Sequence, residues 1–515
     1  MTAEIAMVGA GFAGSILARI LALQGHRVYL IDRAIHPRFA LGESATPLAA
    51  LSLERLAARW RLDDLDALAA YGRWNRRLPK LGHGLKRGFT FYGHTPGHRF
   101  ANGAEDDHRL LVAASHRDEI ADSHWLRADV DTFLIARAGE AGVEVLDGTD
   151  ISSVERSEGG GFELTIRSHS SPVRAIRSSH VLDASGRGGV LAAQLTEARR
   201  IEPALRTSLV GSHFEGVHSW VTTAGRDAAF EPGPYPEERA AIHHLLGDAW
   251  LYVLPFDDGR ASAGLVSRGT VAPAGELKEL LTPYPTLAAC FADARRCGPA
   301  VRLDRVAYRS TTAAGENWAM LPSSFAFDDP MFSTGIAWSL VAVERLAVWG
   351  LALAEGRVGE ADDSLASYGR LLEREADHVS SLVGLAWDSL ASFDAFVAVA
   401  QLYFAAASFC EAQQRLCDDV DFRSGFLGAT DSVIQHWPER ARERLSPAAL
   451  LDLIEERNIA GLGDESFGRR IPASIEHLIA ASAKLGLTRP EARSRLGRLR
   501  GFDKLYEPLV RHHEN

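Results

Sequence analysis

The stretch Ile5-Ala6-Met7-Val8-Gly9-Ala10-Gly11-Phe12-Ala13-Gly14-Ser15 decides the fold of this 515-residue chain. A short apolar run enters Gly-x-Gly-x-x-Gly, and a helical pattern leaves it. A second apolar run, Arg27-Val28-Tyr29-Leu30-Ile31, ends on Asp32. The order is strand, tight glycine turn, helix, strand. Gly9 permits the turn. Gly11 lets a pyrophosphate approach the backbone at the helix N-terminus. Gly14 lets helix and strand pack closely. Asp32, with Arg33 beside it, is placed to accept a hydrogen bond from a ribose hydroxyl. The chain is therefore expected to bind a dinucleotide on an α/β, Rossmann-like unit.

Working outward, Gly42-Glu43-Ser44 falls in a loop, and a helical stretch follows from Leu48 to Leu68. Residues 86–115 alternate as strands do. A helix runs from Leu126 to Ala138, capped by Asp129. Residues 143–146 and 152–166 read as strands of a small antiparallel sheet, with Gly159-Gly160-Gly161 at a hairpin. Val181 to Gly186 is a strand ending in a turn. Residues 205–310 form a second, mostly β region, in which 251–254 and 261–266 are neighbours joined by Asp257-Asp258-Gly259. Residues 336–356 form a strongly apolar helix, and the chain is helical from about 360.

Composition narrows the function classes. Hydrophobic residues at 46% and charged residues at 24% fit a globular protein with a large core. A formal net charge of -11 argues against nucleic acid and against an anionic membrane surface. The first strand begins too early for a signal peptide, and Ala395–Cys410 reads as a buried helix rather than a span. A cytoplasmic protein with inert thiols is expected from four cysteines without a Cys-x-x-Cys pair. Cys410 and Cys417 share a helix face. The histidines, His243-His244 and His512-His513 among them, form no metal-ligating set, so no metal is expected.

Shorter segments follow in an order that resembles the flavin-dependent halogenases and related FAD-dependent monooxygenases. These segments are Gly42-Glu43-Ser44, Trp125-Leu126-Arg127-Ala128-Asp129, Asp183-Ala184-Ser185-Gly186-Arg187 and Asp329-Pro330-Met331-Phe332-Ser333-Thr334-Gly335. The resemblance covers residues 1–350. It implies an FAD-binding domain interleaved with an antiparallel substrate sheet (approximately 80–125 and 205–310), and a helical C-terminal region, 351–515. It also implies flavin contacts from Glu43, Ser44, Arg127, Asp183, Asp329 and Pro330, besides the glycine turn. Arg127 is read either as facing ribityl or phosphate oxygens or as a surface salt bridge. Ser44 and Thr46 can also cap the next helix.

The amides of Thr334 and Gly335 are implied to hold a chloride or bromide. Lys86, in Leu85-Lys86-Arg87-Gly88, matches the lysine that captures hypohalous acid. Its competing reading is an exposed basic pair. Trp250-Leu251-Tyr252-Val253-Leu254-Pro255 partly matches the halogenase Trp-x-Trp-x-Ile-Pro signature. Phe332 stands where tryptophan halogenases carry Glu, which points to the phenol and pyrrole branch. His94, Tyr92 and Trp338 fall near these segments without an assigned role.

Two departures matter. Ser323 stands where the family carries an Asp that accepts from a ribityl hydroxyl, so weaker flavin retention is expected. No second glycine motif serves a nicotinamide, so a separate flavin reductase is expected to supply reduced FAD. The leading expectation is halogenation of an electron-rich aromatic, free or carrier-protein-bound. A hydroxylating monooxygenase, a reductase of geranylgeranyl-reductase type and a non-catalytic descendant remain open.

Overall fold

The computed structural model describes residues 4–100, 108–115, 117–168, 172–225, 235–270, 274–416, 425–443, 449–450 and 453. Cys417, His512 and His513 lie outside them, as does most of the C-terminal region beyond 443.

The opening strand, Glu4–Val8, lies in the middle of a six-stranded sheet. Arg27–Ile31 pairs with it in parallel on one side and His180–Asp183 on the other. Trp318–Met320 and Glu144–Leu146 extend the two flanks in parallel. Both faces are covered, so these strands are apolar almost throughout. The helix Phe12–Leu23 buries most of its surface, and the helices Arg127–Glu140 and Thr334–Ala354 pack against it. Val143–Leu146 was expected in the small antiparallel sheet. It belongs instead to the parallel sheet, because the helix Arg127–Glu140 is the crossover that delivers it beside Arg27–Ile31. The small sheet is built from Thr149–Arg156, Phe162–Ser168 and Arg174–Ser178, with its hairpin at the three glycines.

An eight-stranded sheet draws its strands from 88–113 and 207–303. Ala249–Pro255 and Arg260–Arg268 pair as expected, in the register Pro255↔Ala261. Ala241–Leu245 joins this sheet to Gly88–Gly93 in parallel. The pair His83–Lys86 and Asp122–Trp125 forms a separate two-stranded ribbon.

The stretch 48–68 is two helices, Pro47–Trp60 and Asp63–Leu68. Arg61 between them adopts a left-handed conformation, which ends the first helix. Asp129 sits within the first turn of Arg127–Glu140 rather than at its cap, and its Oδ2 accepts from the Gly82 amide. Thr46 occupies the cap position before Pro47 without a side-chain bond to the helix.

Three long helices follow, Thr334–Ala354, Val358–Ser389 and Phe393–Leu416, and a short one, Trp437–Glu443, comes after them. The first and third are long and apolar enough to cross a membrane, yet 89% and 56% of their apolar windows are buried inside the protein.

Candidate active site

The glycine turn opens one end of a cavity of about 390 Å³. Gly9 has φ +98°, and a Cβ there would lie 2.4 Å from the Ala184 carbonyl oxygen. A Cβ on Gly14 would lie 2.1 Å from the Gly9 carbonyl oxygen. These two glycines are demanded by backbone packing. Gly11 differs, because the nearest atoms to a Cβ there are the guanidinium nitrogens of Arg127 and Arg38, each at 3.5 Å. A cationic cradle over a helix N-terminus suits a pyrophosphate.

Arg127 is buried, so the surface salt bridge is excluded. Its fork meets both oxygens of Asp131 at 2.9 Å, and its remaining nitrogen donates to the Leu41 and Gly42 carbonyls. Arg38 lies 3.6 Å from the same Asp131. Arg38 and Arg187 line the cavity, although the sequence reading assigned neither a role.

Several sequence-predicted residues stand behind the cavity wall. Asp32 accepts from the amides of Ala10 and Ala34 at 2.7 and 2.8 Å, so it braces the turn. Arg33 is exposed. Asp183 accepts from Ser185 and Leu191 and is fully buried. Asp329 accepts from the Met331 amide and Trp387 Nε1. Burial pushes the Asp329 carboxyl up to about 8. None of these four lines the cavity, and the acceptors of the three carboxylates hold the chain beside it. Glu43, Ser44, Arg127, Ser323 and Pro330 line it directly.

The far end of the cavity is the start of Thr334–Ala354, where Ser333, Thr334, Gly335 and Ile336 form the wall. Ser333 is held at φ +55°, a left-handed conformation for a residue with a side chain. The first amides of a helix lack intrahelical partners, and this end carries partial positive charge. The Thr334 hydroxyl meets the Tyr403 hydroxyl at 2.7 Å.

Thr334 also lines a second, smaller cavity. Its walls include Phe89, Phe332, Tyr403, Phe404 and Phe426. Phe332 stacks on Tyr403 with ring centres 4.1 Å apart. This cavity holds only about 30 Å³, so a flat aromatic guest would require these side chains to part.

Lys86 lies outside the lining of both cavities, next to the segment that passes from one to the other. It is fully buried, so the exposed basic pair is overturned. Arg87 is buried too and donates to Ser115 and Asp118. Lys86 Nζ donates to the Ala45 carbonyl at 2.6 Å and lies 3.8 Å from the centre of the Phe89 ring. Ala45 stands between Ser44, on the first cavity, and Thr46, on the second. The Lys86 charge also reaches His243, on the wall of the first cavity, and His124. Burial, and then that charge, lower both imidazoles to about 3.

Tyr252, the altered second aromatic of the signature, lines the first cavity 5.9 Å from Trp250. A Cβ on Gly264 would lie 2.5 Å from its hydroxyl. Tyr92 and His94 instead join Trp220, Phe100 and His244 in a cluster outside both cavities, and Trp338 donates to Glu375. Among the described residues no group of three or more His, Cys, Asp or Glu could hold a metal ion.

No family model matches the chain. It is 25% identical over 367 residues to the tetracycline 7-halogenase of Kitasatospora aureofaciens, covering 68% of this chain and 63% of that protein. It is 26% identical over 362 residues to the monodechloroaminopyrrolnitrin halogenase PrnC of Pseudomonas fluorescens, covering 67% and 60%. The chain thus spans about three fifths of the length of these curated relatives. The crystal structure of halogenase PltM with phloroglucinol and FAD superposes with a TM-score of 0.75 at 22% identity, covering 93% of this chain and 98% of that one. The chain is similar in sequence to flavin-dependent halogenases over two thirds of its length and shares their fold over nearly all of it.

Proposed function

We propose that the protein is an FAD-dependent halogenase acting on an electron-rich aromatic of phenol or pyrrole type. The observation that carries this reading is the position of Lys86. It is buried, lies over Phe89 on the aromatic cavity, and donates to the Ala45 carbonyl, between Ser44 on the nucleotide-side cavity and Thr46 on the aromatic one. The relatives named for halogenation support the same chemistry.

The residues present fit FAD. Gly11, Arg38 and Arg127 would hold its pyrophosphate, and the cavity extends from there to the start of the helix Thr334–Ala354. Reduced FAD with O2 supplies the oxidising equivalent that halide chemistry requires. The amides of Thr334 and Gly335 offer a halide the positive end of a long helix. Lys86 holds a movable cationic donor between the cavities, where hypohalous acid must pass to reach a guest among Phe89, Phe332 and Phe404. The buried walls exclude water that would otherwise consume the oxidant.

The reading requires a reductase to deliver reduced FAD. It leaves the acceptor free or presented on a carrier protein. The test is turnover with a reductase, FAD and O2 on a panel of phenols and pyrroles, with and without chloride or bromide. A product whose mass carries the supplied halogen, and which disappears without halide, is expected. Hydroxylated product independent of halide contradicts halogenation in favour of a monooxygenase.

A further inference from the structure

Glu43 is the carboxylate on the wall of the larger cavity among the described residues, and it is 2% exposed. Its Oε1 accepts from His213 Nε2 at 2.8 Å. Its Oε2 is buried without a partner among the described residues, and so is the neighbouring Ser44 Oγ. A buried acceptor left without a donor is costly. A carboxylate only accepts, so the missing partner is an O–H or N–H group that arrives with the cavity's occupant. A flavin offers both, in its side-chain hydroxyls and its imide N–H. Ser323, on the same cavity wall, brings only a neutral hydroxyl.

His213 is well placed to fix Glu43. It lies on the nine-residue strand Thr207–Glu215, paired along its whole length with Arg260–Arg268. Its ring packs edge-on against Phe39 at 4.8 Å and Phe256 at 5.6 Å. Gly298 leaves room for it, since a Cβ there would lie 3.1 Å from the His213 Cβ. The Glu43 loop turns at Gly42, with φ +88°. A rigid strand therefore holds a carboxylate that sits on a loop.

We propose that His213 is a positioning residue for the cofactor. It holds Glu43 so that the second carboxylate oxygen faces a flavin donor before binding, and the loop is not ordered at the cost of affinity. The proposal rests on the reading of this cavity as a flavin site.

The test is FAD titration of the purified protein, followed by flavin fluorescence. His213→Phe keeps an apolar ring and removes the donor. It is expected to raise the FAD dissociation constant about tenfold or more. His213→Gln, which can still donate, is expected to stay near wild type. Glu43→Gln is expected to weaken binding as His213→Phe does, and the double variant to be no weaker than the weaker single. His213→Asn, too short to reach Glu43, repeats the test if His213→Phe does not fold. Unchanged affinity in His213→Phe or His213→Asn overturns the proposal. So do additive effects in the double variant, or a His213→Gln as weak as His213→Phe. A wild type that binds no FAD overturns the flavin reading itself.

Discussion

At the scale of the residue, side chains that line the cavity differ from those that support its wall. Gly11 and Gly14 share a motif, yet one faces two guanidinium groups and the other its own turn. Asp32, Asp183 and Asp329 each spend their oxygens on nearby backbone amides, with Trp387 added at Asp329. A motif fixes where a carboxylate sits along the chain, whereas its partners depend on three-dimensional packing. His213 left no local signal, because its partner Glu43 is 170 positions away.

The buried carboxylates make a pH prediction. Burial raises Asp329 to about 8 and Asp328 to about 6, from an ordinary 3.8. Between the ordinary and raised values the folded state binds more protons than the unfolded chain. The contribution is therefore fully present below about 3.8 and is lost as pH rises toward 8. Asp329→Asn is expected to flatten the fall of Tm across that window, with its advantage over wild type growing as pH rises. Thermal melts from pH 4 to 8 that run parallel for both proteins would contradict this.

At the scale of the element, periodicity identified most helices and strands, and the errors have physical causes. The left-handed Arg61 broke one expected helix into two, a conformation no composition pattern announces. The strand Glu144–Leu146 was assigned to the wrong sheet because three residues carry no record of their partner. Helix 334–354 was legible from its apolar run, but its anchor was not. Arg345 on that helix meets Glu375 on Val358–Ser389 through two bonds, at 2.9 and 2.6 Å. Trp338 and the Phe426 amide donate to the same carboxylate. Removing one member of such a buried pair leaves the other charge without its partner in a dry site. Glu375→Ala is expected to destabilise the protein by about 3–5 kcal/mol. Chemical denaturation would show the loss, and a change below about 1 kcal/mol would mean that the helices are held chiefly by apolar packing.

At the scale of the whole molecule, the glycine turn announced the parallel sheet, and the ordered motifs announced the second sheet and the long helix. What the sequence could not display is the convergence. Residues 11, 38, 43, 127, 187, 323 and 334 come from six separated segments and meet around one cavity. The aromatic cavity adds Phe89, Phe332, Phe404 and Phe426, and Lys86 stands where the two approach. Hydrophobic periodicity marks all these aromatics as core, and only the fold shows that they enclose a space.

In the proposed function Lys86 is the link in that arrangement, and its replacement is expected to separate the two cavities functionally. The measurement is the division of reduced flavin between halogenated product and hydrogen peroxide, for wild type and Lys86→Ala, at equal FAD occupancy with halide present. The account predicts that Lys86→Ala keeps FAD binding and consumes reduced flavin, but forms at least about a hundredfold less halogenated product and releases peroxide instead. A Lys86→Ala protein that halogenates the same substrate at the wild-type rate would contradict it.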